Sequence, residues 1–237
     1  MIKRLRALGI VLVVVGMVFV VAAGVAYGKV QEGYGSLQAF SESQNVTLTY
    51  NEDGQLIDRG TTEGADAIME LLTVAWDYPV VESDLNPDDP LVNTASEYMF
   101  QMATITYHTL YGTQTVVLTE DEDYNGETFP AGEYQVEVDG KYWTDFDRQH
   151  PLEGRARGLA WSGTAHGLIG ELGVGTVTHS TLQMGLGLSG ITAGIGLFAL
   201  LTGFGLIWAS RARESEFTFA PASVSMEERM IEDTLTP

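Results

Sequence analysis

The segment Asp121-Glu122-Asp123-Tyr124-Asn125-Gly126 holds the side chains best spaced for chemistry. Asp121, Asp123 and Asn125 place oxygen donors at alternate positions, and Gly126 follows where a sharp turn is needed. That order is what a calcium loop uses, since Ca²⁺ takes about six to eight oxygen ligands. A helix–loop–helix site would add a bidentate Glu at the twelfth position. Here that position is Gly132, and Glu133 comes one place late. The flanks alternate like strands, so the competing expectation is an Asn-Gly hairpin whose acids keep it soluble. Calcium is the one cofactor that the sequence suggests, with Asp121, Asp123 and Asn125 as its first ligands.

His108, His150, His166 and His179 are the other candidates for metal chemistry. None has the i, i+4 pairing that places two imidazoles on one helix face. His108 falls near a helix end, where the dipole favours a cation, and His150 stands before Pro151 as a helix opener does. There is no phosphate-cradling Gly-Lys loop, dinucleotide fingerprint or nucleophile elbow. With no cysteine, the chain has no disulfides and no thiolate ligands. The sequence therefore leans away from an enzyme.

The elements that must carry these residues are two apolar segments and a polar stretch between them. Arg6 and Lys29 bracket 22 uncharged residues, and Glu171 and Arg211 bracket 39. About 20 apolar residues in a helix cross a bilayer, so two transmembrane helices are expected, at 7–28 and 185–209. The first is longer than a signal-peptide core and reads as an uncleaved anchor. Lys3, Arg4 and Arg6 flank the first span, and Arg211 and Arg213 the second. The positive-inside rule then puts 1–6 and 210–237 in the cytoplasm and 29–184 outside a plasma membrane.

Charge agrees with that division. The chain carries a formal net charge of −20. Residues 28–181 hold 26 acidic and 6 basic side chains, which excludes nucleic acid as a partner. The acidity suits a solvated surface, or attraction for cations or a basic partner.

The stretch 29–184 reads as an α+β extracytoplasmic domain: antiparallel strands with two or three covering helices. Val46, Leu48 and Tyr50 alternate as on a strand, and Asp53-Gly54 turns it toward a second strand at 55–58. Thr61 or Thr62 caps a helix reaching Trp76. A helix to about Tyr111 is expected to open at Pro90, capped by Asp88 or Asp89. Strands follow at 115–119 and around Tyr134, Val136 and Val138, and Pro151 opens another helix. Gly170, Gly173 and Gly175 are expected to break the chain before the second span. A faint internal echo links Asp53…Pro90 with Asp139…Pro151. The 210–237 tail reads as disordered.

Within the spans, Gly9, Gly16 and Ala23 recur every seven residues, as do Ser189, Gly196, Gly203 and Ser210. Small residues at that period let helix backbones approach closely. Either the two spans pack on each other, or these faces receive a second membrane protein; the lipid bilayer is the partner in both cases.

Within this two-span frame, Asp89-Pro90-Leu91…Thr94-Ala95-Ser96 resembles a group of small actinobacterial membrane proteins. These are often given automatic names that suggest an aromatic ring-opening dioxygenase. A ring-cleaving dioxygenase needs iron held by histidines and a carboxylate, and the resemblance carries no such ligand onto this chain. What it implies is a membrane protein and nothing finer. The small-residue spans, with a structured loop that has no evident site, lead instead to the expectation of an extracytoplasmic interaction or scaffold domain, as an accessory subunit of a larger complex.

Overall fold

The computed structural model describes residues 2–218; the tail expected to be disordered lies mostly outside the described residues. The chain divides into two compact units, one up to Val30 and again from Gly185, the other Gln31–Met184. Its backbone is mixed, long helices with two small antiparallel sheets.

The first unit is a helix pair. Helix α1 spans Ile2–Gln44 and α5 spans Gly163–Thr218, and only their apolar portions lie here. Each is long and apolar enough to cross a membrane. Large apolar side chains point outward, with Val21 at 66%, Phe198 at 72% and Leu201 at 73% exposure. An apolar helix pair with an exposed apolar perimeter is suited to hydrocarbon.

The small residues make the seam. A methyl group built on Gly9 would lie 2.8 Å from the Gly203 carbonyl oxygen, and one on Gly16 would lie 2.7 Å from that of Gly196. Ala23, Ser189 and Ser210 are buried too. The serine hydroxyls donate to carbonyls of their own helix, Ser189 to Gly185 at 2.8 Å and Ser210 to Ile207 at 2.7 Å, so no donor is stranded in apolar surroundings. The faces formed by Gly9, Gly16, Ala23, Ser189, Gly196 and Gly203 are thus turned inward within this chain. Burial at every seventh residue is the period of left-handed helix winding.

The second unit has two cores. The larger gathers Leu37 of α1, Leu172 of α5, Ala65 and Ile68 of α2 (Thr62–Glu70), and Phe100 and Ala103 of α3 (Ala95–Leu110). Thr61 caps α2, and a π-helical turn at Leu71–Ala75 extends it, burying Leu71 and Leu72 side by side. Glycine is no breaker in α5. Gly175 leaves room for the Tyr98 ring, which a methyl there would meet at 2.7 Å, and α5 runs unbroken past Gly170, Gly173 and Gly175.

The smaller core lies under a two-stranded sheet. Strand β1 (Thr113–Leu118) pairs antiparallel with β4 (Gly132–Glu137). Val116 and Leu118 point inward with Val138 and Phe146, against Ala156 and Ala160 of α4 (Pro151–Ala160). Strands β2 (Glu122–Tyr124) and β3 (Glu127–Phe129) form a separate hairpin.

Three expected elements differ. The strands around 46–50 and 55–58 reduce to single bridges, Tyr50 with Leu56 and Thr47 with Leu91. Pro90 does not open α3 but lies in an extended stretch, where its carbonyl accepts from the Leu48 N–H at 2.8 Å. The cap is Thr94, which with Glu97 completes a capping box; two reciprocal hydrogen bonds fix the start more firmly than a proline's favourable φ. Pro151 does open its helix, behind His150, so the internal echo fails at the helix start.

Candidate functional site

Asn125 and Gly126 have φ of +51° and +84°. Two left-handed residues in a two-residue loop make the tight hairpin turn that Asn-Gly favours. The Asp121 carboxylate accepts from the Ala131 N–H at 2.8 Å, and the Asp123 carboxylate from the Thr128 hydroxyl at 2.5 Å. One oxygen of each acid is thus engaged in bracing the hairpin. Among the described residues no group of three His, Asp or Glu side chains is placed to hold a metal ion. Calcium at Asp121, Asp123 and Asn125 is a proposal, tested by calcium titration of the full chain. A melting-temperature rise that Asp123→Asn removes would support it; an unchanged melt would end it.

The four histidines are dispersed, each with its own hydrogen-bonding partner. His108 pairs with Asp58 at 2.9 Å, joining the end of α3 to the turn before α2. Nδ1 of His150 accepts from the N–H groups of Leu152 and Glu153 at 3.1 and 3.3 Å and so caps α4. His166 stacks on Trp161 with ring centroids 4.7 Å apart. His179, buried in α5, accepts from the Ala95 N–H at 3.1 Å through Nδ1 and meets the Tyr34 ring edge-on. Burial holds the His179 imidazole below its ordinary pKa, and the Asp84 charge only partly offsets this.

The Thr94-Ala95-Ser96 segment forms a dense polar joint. The buried Glu97 carboxylate accepts from the N–H groups of Asn93 and Thr94 and from the Thr94 hydroxyl, at 2.8 to 3.0 Å. The Ser96 hydroxyl donates to Asp84 at 2.9 Å and accepts from the Val81 N–H at 3.0 Å. Ala95 reaches His179. Desolvation raises the Glu97 pKa against three donors that pull it down. Each polar group in this joint faces another, so its work is to seat α3.

A cavity of about 100 Å³ lies among Phe40, Val46, Val92, Tyr98, Ile105 and Leu172, with Glu171 also in its lining. The Tyr98 and Ser41 hydroxyls bond each other at 2.6 Å in its wall. Pockets for small organic ligands usually start at about 300 Å³, so this is a packing void on an apolar wall.

One cluster escapes the motif-level reading. Trp143 is 38% and Tyr142 61% exposed. The Arg157 guanidinium lies over the Trp143 ring at 3.2 Å, and its Nε donates to the Trp143 carbonyl at 3.1 Å. Arg148 approaches the same ring at 5.6 Å. Partial desolvation and the charge of Arg148 together lower the Arg157 pKa. The ordering comes from α4, where a methyl on Gly154 would lie 2.6 Å from the Arg148 carbonyl oxygen, so the bare glycine lets the Arg148 backbone rest on the helix that carries Arg157. The available signal was compositional: Lys141, Arg148, Arg155 and Arg157 are four of the six basic residues in 28–181. No family model, curated protein or solved structure matches the chain.

Proposed function

We propose that this is a two-span plasma-membrane protein whose 29–184 domain lies outside and works by binding, as an accessory or scaffold subunit. The basic residues Lys3, Arg4, Arg6, Arg211 and Arg213 outside the two apolar segments support cytoplasmic termini. The observation that carries the binding role is the surface patch of exposed Tyr142, Trp143 and Arg148 with the half-buried Arg157. Tyr, Trp and Arg are the residues in which binding hot spots are enriched, because they combine large rigid area with directed donors. Here they stand together on a surface otherwise dominated by carboxylates.

The test is co-isolation from native membranes in mild detergent, with wild type and Trp143→Ala side by side and mass spectrometry of what accompanies each. A stoichiometric companion held by wild type and reduced at least tenfold by Trp143→Ala is the expected result. Identical companions with both proteins, or none with either, would overturn the reading.

A further inference from the structure

Among the described residues, neither Arg148 nor Arg157 is paired with a carboxylate, although the domain has a large acidic excess. Acids close by in sequence are turned elsewhere. Asp145 accepts from the Tyr142 N–H at 2.8 Å, Asp147 accepts from the Tyr124 hydroxyl, and Glu153 is held by Lys141 at 3.2 Å and by the Asp147 N–H at 2.8 Å. Arg155, two positions before Arg157 on α4, shows the alternative: it closes on Glu122 through two bonds of 2.6 and 3.0 Å. Two guanidinium groups left without counter-charges repel each other, yet both approach the one indole of Trp143, at 3.2 and 5.6 Å from its centre. Stacking engages the face of the Arg157 guanidinium and one hydrogen bond its Nε, which leaves its two terminal nitrogens as donors. Arg148 shows no hydrogen bond from its guanidinium.

We propose that Arg148 and Arg157, brought to the one Trp143 ring, bind a doubly charged oxyanion, with a phosphate monoester as the ligand class. A dianion neutralises both cations at once, and its oxygens match the planar donor forks of arginine. This deepens the interaction reading and rests on the patch being a recognition surface. The phosphate can be free, carried by a small molecule, or the headgroup of a phosphatidic-acid-type lipid.

The experiment uses the full chain in phosphatidylcholine nanodiscs, titrated calorimetrically with glycerol phosphate at constant ionic strength. Saturable one-to-one binding is expected, weakened at least tenfold by Arg148→Gln and by Arg157→Gln. Arg157→Lys keeps the charge but loses the fork and is expected to retain part of the affinity. Affinity should also rise as pH climbs through the second phosphate ionisation near about 6, because the dianion carries a charge for each of the two cations. Melting temperatures within about two degrees of wild type establish that the variants fold. Nanodiscs doped with phosphatidic acid identify the source: competition with glycerol phosphate there points to a lipid headgroup, and none points to a soluble ligand.

Equal affinity in wild type and in both glutamine variants would overturn the proposal, as would displacement by chloride at equal ionic strength. No heat in wild type would overturn it too. Phosphate binding without any co-isolating protein would leave this site standing and remove the protein partner. A Trp143-dependent partner without phosphate binding would do the reverse.

Discussion

Gly196→Leu is expected to lower the melting temperature of the full chain in nanodiscs by roughly 6 to 12 °C, while Gly190→Leu leaves it unchanged or slightly raised. Both glycines lie in the same helix, but only one is in the seam. A methyl on Gly196 would stand 2.8 Å from a Val20 methyl, 2.9 Å from the Val20 nitrogen and 3.0 Å from the Gly16 carbonyl oxygen. Two of these three are backbone atoms, so relief requires the helices to separate. A methyl on Gly190 would meet nothing within 4 Å. Overpacking a tight site costs about 1–3 kcal/mol and sometimes more. About 1 kcal/mol corresponds to some 2–4 °C for a chain of this size. In hydrocarbon the loss is not recovered elsewhere, because apolar helices there are held by close packing rather than by expulsion of water. Replacing glycine by leucine in a helix also gains up to about 1 kcal/mol of propensity, which Gly190→Leu keeps and Gly196→Leu loses to the clash. Equal shifts for the two variants would show that the glycine seam does not hold the pair.

The same glycines explain what was legible in advance. A seven-residue period of small residues is a one-dimensional signal, and its physical cause, backbone contact along one stripe, is equally regular. Asn125-Gly126 was legible because two adjacent residues alone satisfy a turn needing positive φ twice. The unbroken course of α5 was not. Gly170, Gly173 and Gly175 each disfavour helix by up to about 1 kcal/mol, and nothing local reveals that Tyr98, 77 positions earlier, needs the space over Gly175. Pro90 misled for a related reason: its favourable φ suits a helix start, but Leu48 donates to Pro90 itself and Val46 accepts from Val92, which holds the stretch extended. For the candidate site, the acids of the hairpin were visible as a motif, and the arginine–tryptophan cluster only as a concentration of basic residues. Seeing that Arg148 and Arg157 share one ring required the close approach at Gly154, between residues six apart.

Just below neutrality, acid is expected to weaken the fold through His179; the depressed carboxyls of Asp147 and Glu153 act in the same sense only at lower pH. The His179 Nδ1 accepts the Ala95 N–H at the start of α3, a role that only the unprotonated nitrogen can fill. The groups around it are the Tyr34 ring, Asp84 and the Ala95 amide. Burial holds its pKa below the ordinary value of 6.5, against a smaller upward pull from Asp84. Below that value the unfolded chain therefore binds a proton that the folded chain refuses. Stability is fully present above pH 6.5 and is lost as pH falls toward the folded pKa. Glu97 works in the opposite sense. Its pKa is raised above 4.5, so the folded chain takes up a proton first and gains stability as pH falls toward 4.5. The two windows are separable by substitution. His179→Asn supplies a side-chain oxygen that accepts from Ala95 without titrating, and is expected to flatten the stability profile between about pH 5 and 7 while leaving the neutral melting temperature within a few degrees. His179→Ala leaves a buried N–H without an acceptor, a cost of about 1–3 kcal/mol, and is expected to melt some 4–8 °C lower at neutral pH. Thermal melts of the full chain across that range decide the matter. A His179→Asn profile as steep as wild type would place the acid sensitivity elsewhere. A His179→Ala protein as stable as wild type would mean that the α3–α5 contact does not depend on this hydrogen bond.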